Sequence, residues 1–84
     1  MDKIVFVNVG RALRAQRVLV GRTQADLGRA LGVKPQHVAN FEGGVCLPPI
    51  KYWRQISQAL SLKRKGFKSI MAKEFEAYLD RVLE

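Results

Sequence analysis

Few side chains in this chain have chemical capacity, and they are widely spread. There is one histidine, His37, and one cysteine, Cys46. Neither has ligand partners at metal-binding spacing, and a single cysteine excludes an internal disulfide. General acid–base chemistry needs His, Asp, Glu or Lys gathered in a pocket, and 84 residues offer little concave volume to hold one. Neither an enzyme nor a cofactor is expected. What does stand out is a polar, uncharged group behind Pro35: Gln36, His37 and Asn40. Their side chains donate and accept hydrogen bonds, a capacity suited to reading a surface rather than transforming it.

The wider composition narrows the partner. Fifteen Lys and Arg oppose seven Asp and Glu, a formal charge of +8. With 48% hydrophobic and 26% charged residues the chain is an ordinary globular one, so the charge belongs to a folded basic domain. Such a balance asks for a polyanion. No apolar run approaches the roughly 20 residues of a membrane span, and no secretory signal is evident, so a cytoplasmic location is expected.

The elements that must position Gln36, His37 and Asn40 follow from the punctuation. Gly21, Gly32, Gly43 with Gly44, Pro48 with Pro49, and Gly66 divide the chain into five helix-sized pieces. Val5, Val9 and Leu13 recur every four residues, giving a first helix over about Asn8 to Leu19. For Ile4 to Val7, β-branching favours a strand and the spacing favours a helix. Thr23 can cap the amide of Asp26, whose charge suits the start of a second helix; Leu27, Ala30 and Leu31 form its stripe, and Gly32 ends it. Pro35 suits the first position of a third helix, about Pro35 to Glu42, with Val38 and Phe41 buried. Pro48 and Pro49 repeat that start signal for a fourth helix, with Ile50, Trp53, Ile56 and Leu60 as its stripe, ending near Leu62. A fifth helix, about 67–83, carries Phe67, Ile70, Met71, Phe75, Tyr78, Leu79, Val82 and Leu83 at helical spacing. The expectation is a single all-α domain over residues 1–84: a compact bundle of five helices with its core at about 8–62.

Two short helices joined at Gly32, the second polar on its outer side, are the geometry by which a helix-turn-helix enters a major groove. Gln24, Leu27, Gly28, Leu31, Gly32, Val33, Val38 and Phe41 stand in the required order. Gly28 lets the helices approach, Gly32 makes the turn, and the apolar residues hold the crossing. On these residues the stretch TQADLGRALGVKPQHVANFEGG, with the Pro48 that follows, resembles the lambda-repressor-like, Cro-type helix-turn-helix family, also called the xenobiotic-response-element family. The resemblance covers about Leu13 to Leu62.

It implies a sequence-specific grip on double-stranded DNA and a two-fold symmetric homodimer. It also implies an ion pair between Arg17 and Glu42 that locks the reading helix to its scaffold. Carried over residue by residue, Gln24 would hold phosphate, while Lys34, Gln36, His37 and Asn40 would face bases or flanking phosphates; Arg22, which replaces a frequent apolar residue of the family, and Thr23 lie beside Gln24 as further phosphate contacts. Gln and Asn amides can bond adenine twice, and Lys can reach guanine acceptors. Arg11, Arg14, Arg29, Lys51 and Arg54 are further phosphate candidates. The chain departs from the family pattern at Pro35, which replaces a frequent base-reading residue, and at Val45, Cys46 and Leu47, which stand where a basic backbone anchor is common.

Helix five is not explained by DNA reading. Its residues Phe67, Ile70, Met71, Phe75, Tyr78, Leu79 and Val82 need a cover, either the chain's own core or a second subunit. A shared role is expected, with two reading helices about 34 Å apart on a palindromic site. Cys46 is expected near that interface, as a small apolar residue or as a redox-sensing thiol. The expected function is a Cro-like or restriction-controller-like transcription regulator, a repressor in its simplest form. The alternative is an antitoxin of the same fold that binds a toxin protein and regulates its own operon.

Overall fold

Residues 6–83 are described by the structure, a computed structural model. They form α1 (Val7–Leu19), α2 (Gln24–Leu31), α3 (Pro35–Glu42), a 3-10 turn (Ile50–Tyr52), α4 (Trp53–Ala59) and α5 (Arg64–Leu83). No strand occurs among the described residues. Val7 lies in α1, whereas Ile4 and Val5, including the question of a strand there, fall outside the described residues.

The core is assembled from one face of each helix. Val9 and Leu13 of α1, Leu27 and Leu31 of α2, Val38 and Phe41 of α3, Ile56 and Leu60 around α4, and Phe67 of α5 are buried together. The i, i+3 and i+4 spacings place these residues on single helical faces. Helix α1 is central, packing on both α3 and α5, while α2 packs on α3 and α4.

Local signals set the boundaries. The Thr23 hydroxyl accepts from the Asp26 backbone N–H at 3.0 Å, and the Thr23 backbone N–H donates to the Asp26 carboxylate at 2.9 Å, a reciprocal capping box. Gly32, at φ 72°, ends α2 in the left-handed region. A side chain at Gly28 would place its Cβ 2.8 Å from the Val33 carbonyl oxygen, so only glycine admits this turn. Lys34 is extended before Pro35, which opens α3 at its first position.

The capping box gives a pH dependence with a definite sign. The Thr23 backbone N–H, and after it the Thr23 hydroxyl, hold the Asp26 carboxyl below its ordinary value. A depressed folded-state value means that the carboxylate stabilises the fold above its unfolded value, and that this contribution is lost as pH falls through the folded value. Denaturant midpoints of the parent and an Asp26→Asn variant should therefore differ at neutral pH and converge on acidification below about pH 4. A gap that stays constant down to acid unfolding would contradict this.

The structure corrects the sequence reading in the C-terminal half. The segment after Pro49 opens as a 3-10 turn, and Ile50, expected in the stripe of helix four, is 74% exposed. Trp53 starts α4 instead, half-buried, with its indole N–H donating to the Pro48 carbonyl at 2.7 Å and its ring 5.5 Å from that of Phe67. Helix α5 begins at Arg64, a turn before Phe67, so Arg64, Lys65 and Gly66 are helical. Its stripe divides. Phe67 is buried and Ile70 and Met71 pack on the core, whereas Phe75 is 63% and Val82 59% exposed, and Tyr78 and Leu79 are also exposed.

Helix α5 is tied to the bundle by a carboxylate the apolar stripe conceals. Glu74 is buried; its Oε1 accepts from the Val9 backbone N–H and its Oε2 from the Asn8 side-chain amide, both at 3.0 Å. The first amides of a helix have no partner within it, and α1 has no side-chain cap of its own at Phe6. Glu74 supplies that partner from the other end of the chain, and its charge suits the positive end of α1.

Candidate nucleic-acid interface

Helix α3 buries Val38, Phe41 and Glu42 and turns Gln36 and His37 to solvent, with Asn40 half-buried at the edge. Gln36 and Asn40 lie one turn apart, and the Gln36 side-chain N–H donates to the Asn40 side-chain oxygen at 3.1 Å. That bond leaves the Gln36 oxygen, its second N–H and the Asn40 amide N–H groups presented together. The outer face thus carries a fixed pattern of donors and acceptors in place of a charge.

Glu42 fixes the direction of this face. Its Oε2 accepts from Arg17 Nε at 2.6 Å, and its Oε1 accepts from Arg17 Nη2 at 3.1 Å and from Gln24 Nε2 at 3.1 Å. A fork-to-fork Arg–carboxylate pair is strong and directional. The Arg17 side chain is 11% exposed and that of Glu42 4% exposed. The hydrogen bonds to Glu42 raise the Arg17 pKa further above its ordinary value, so the cation is permanent. Arg17 Nη1 also donates to the Arg22 carbonyl at 2.8 Å, binding the start of the α2 region into the same network. The C-terminal end of α3 is therefore held to α1 and α2 by one carboxylate.

Gly10 brings α1 against that end. A Cβ there would meet the Phe41 carbonyl oxygen at 2.7 Å and the Glu42 carbonyl oxygen closer still. Beyond α3 the chain turns through Gly43 and Gly44, and the Gly44 carbonyl accepts from the Phe6 N–H at 3.1 Å.

The remaining sequence-derived positions divide into exposed and committed groups. Arg22, Lys34, Arg11, Arg14, Lys51 and Arg54 are exposed. Arg29 is exposed but pairs with Asp26 within α2. Thr23 is committed to the capping box, its hydroxyl oxygen accepting from the Asp26 N–H and the hydroxyl lying against the Asp26 carboxylate. Gln24 has one N–H engaged by Glu42, which leaves its second; the sequence reading missed this third arm of the Glu42 hub. Cys46 is a half-buried free thiol packed against the core. No group of three or more His, Cys, Asp or Glu that could hold a metal exists among the described residues. Nor is any helix among them long and apolar enough to cross a membrane.

This helix pair on its three-helix support is matched by a family model described as a helix-turn-helix domain, over residues 8–65. The chain belongs to the helix-turn-helix domain family. The match takes in α1 to α4 and ends in the first turn of α5. Among curated proteins the helix-turn-helix chain is similar to endothelial differentiation-related factor 1 of Homo sapiens, 34% identical over 62 residues. It is likewise similar to the homologues of Danio rerio, at 34%, and Xenopus laevis, at 32%. These alignments cover 74% of this chain and 42% of each relative, so the chain spans less than half the length of the relatives it matches. No solved structure matches it.

Proposed function

We propose that this helix-turn-helix protein is a sequence-specific double-stranded DNA-binding transcription regulator, acting as a repressor by occupying a palindromic operator as a homodimer. The observation that carries the reading is the exposed amide pair of Gln36 and Asn40 on a helix whose opposite face is buried and whose end is clamped by Glu42. A rigid, neutral donor–acceptor face fits base edges, because an amide that both donates and accepts can bond N7 and N6 of adenine together.

In this assignment Gln36 reads a base with Asn40 holding its amide in plane and contacting the next. His37 lies beside them, and Lys34, at the start of α3, reaches a guanine acceptor or a phosphate. Arg22 and the second N–H of Gln24, flanking Thr23, hold the backbone, which fixes register without reading sequence. The apolar residues of α5 left exposed, Phe75, Tyr78, Leu79 and Val82, are the proposed subunit contact, while Phe67, Ile70 and Met71 serve mainly the protein's own core. A DNA-bound protein of this kind works at the nucleoid in the cytoplasm, with regulation set by its concentration and occupancy.

Selection from random duplexes tests the assignment. A palindromic site should be enriched, with half-sites about one helical turn apart. If ~6 to 10 phosphates are contacted per dimer, affinity for that site should fall roughly 10³- to 10⁵-fold between about 50 and 200 mM salt. No enrichment, or flat salt dependence, would overturn it.

A further inference from the structure

Helix α5 is charged the wrong way round for a helix that stands alone. Its first half carries Arg64, Lys65, Lys68 and Lys73 and no acid; its second half carries Glu74, Glu76 and Asp80 against one base, Arg81. The segment from Gly43 to Lys73 holds seven Lys and Arg and no acid at all, so the basic half of α5 closes a long uncompensated stretch. The cations Arg64 and Lys65 in the first turn oppose the macrodipole, and the last turn sets Asp80 beside Arg81. Glu74 is accounted for by its bonds to α1, but the others are exposed.

The same helix borders an apolar groove of about 710 Å³ between α5 and the segment leading into α4. Leu47 and Trp53 form one wall, and Phe67, Met71, Phe75 and Tyr78 the other. Ala72 also lines it, and Lys68 stands at its rim. Beyond the groove Leu79, Val82 and Leu83 continue the exposed apolar surface to the end of α5. One copy thus offers a recess that runs from Phe67 in the basic half of the helix to Tyr78 in the acidic half, with protruding apolar side chains beyond it.

We infer that two copies pair through antiparallel α5 helices, each seating the acidic, apolar C-terminal half of its α5 in the groove beside the basic half of the other. This rests on the homodimer proposed above and specifies its contact. A two-fold axis at Ala72 overlaps the helices over nearly their whole length. It sets Lys68 opposite Glu76 of the partner subunit, and brings Met71 to within two residues of direct opposition with Phe75 of the partner subunit and Phe67 to the same offset from Leu79 of the partner subunit. The small side chain at the axis permits close approach, and the opposed charge halves and opposed helix dipoles complement each other. Parallel pairing would set basic half against basic half. The contact is isologous, so each charge pair occurs twice.

The test is sedimentation equilibrium of the full chain without DNA, comparing the parent, Lys68→Glu, Glu76→Lys and the double variant. All four proteins differ only at exposed positions. The parent should reach twice its chain mass of 9.5 kDa. Each single variant should raise the dissociation constant about tenfold, because two like-charge contacts replace two attractive ones, and the double variant should return to within about threefold of the parent. A parent that stays monomeric at roughly 100 µM, or a double variant no tighter than the singles, overturns the pairing. Binding to a half-site duplex, followed separately, distinguishes the two layers. A monomer that still prefers one sequence removes the α5 pairing and the homodimer but leaves the reading of bases by α3, and a dimer that prefers none removes only the DNA assignment.

Discussion

Replacing Glu42 by alanine should destabilise the protein by about 3–5 kcal/mol, the cost of leaving a buried charge without its partner. Arg17 would remain almost fully buried with its Nε and Nη2 protons unanswered, and Gln24 would lose the acceptor of its amide. Small domains have about 5–15 kcal/mol in total, so much of the fold's margin rests on this one carboxylate. At this chain length each 1 kcal/mol lowers the midpoint by about 4–8 °C, and the thermal transition should drop by at least ~12 °C or lose its cooperativity. Glu42→Gln keeps an acceptor for Arg17 and should lose less. Thermal and urea unfolding of the two variants check this; a loss below about 1 kcal/mol for the alanine variant would show that water replaces the carboxylate and that α3 is not clamped.

The second large effect concerns reading rather than folding. Joint replacement of Gln36 and Asn40 by alanine removes the donor–acceptor face and leaves the buried side of α3, Val38, Phe41 and Glu42, intact. Each bidentate base contact discriminates by about 1–3 kcal/mol, so a dimer using the pair in both half-sites should lose its preference by two orders of magnitude or more. Stability should change little, since both side chains bond only each other at the surface. Affinity for arbitrary duplex DNA should persist, carried by Lys34 and Arg22 through phosphates.

Much of this was legible in the sequence because short-range rules decide it. The capping pair Thr23 and Asp26, the left-handed Gly32 and the helix-opening Pro35 act within a few residues, and each gives one answer. Arg17 and Glu42 lie 25 residues apart, and it was the family resemblance, not spacing, that joined them. Two features depend on tertiary approach and escaped. Gly10 inside a helical pattern costs about 1 kcal/mol relative to alanine, which hints at a close contact, but nothing local names α3 as the neighbour. Glu74 sits amid the apolar stripe of α5, one turn from Ile70 and Met71 on one side and Tyr78 on the other. An acid in that setting signals a buried partner, yet the amide it meets is 65 residues away. The apolar period of α5 also could not tell the residues facing the core from those left exposed, because both share one side of the helix.

The central claim is that the outer face of α3 chooses the DNA sequence. Parallel selections from one pool of random duplexes, with the parent chain and with the Gln36→Ala/Asn40→Ala variant, test it most directly. The parent should enrich a single palindrome, and the variant should retain binding that is indiscriminate. Enrichment of the same palindrome by both proteins to the same degree would contradict it.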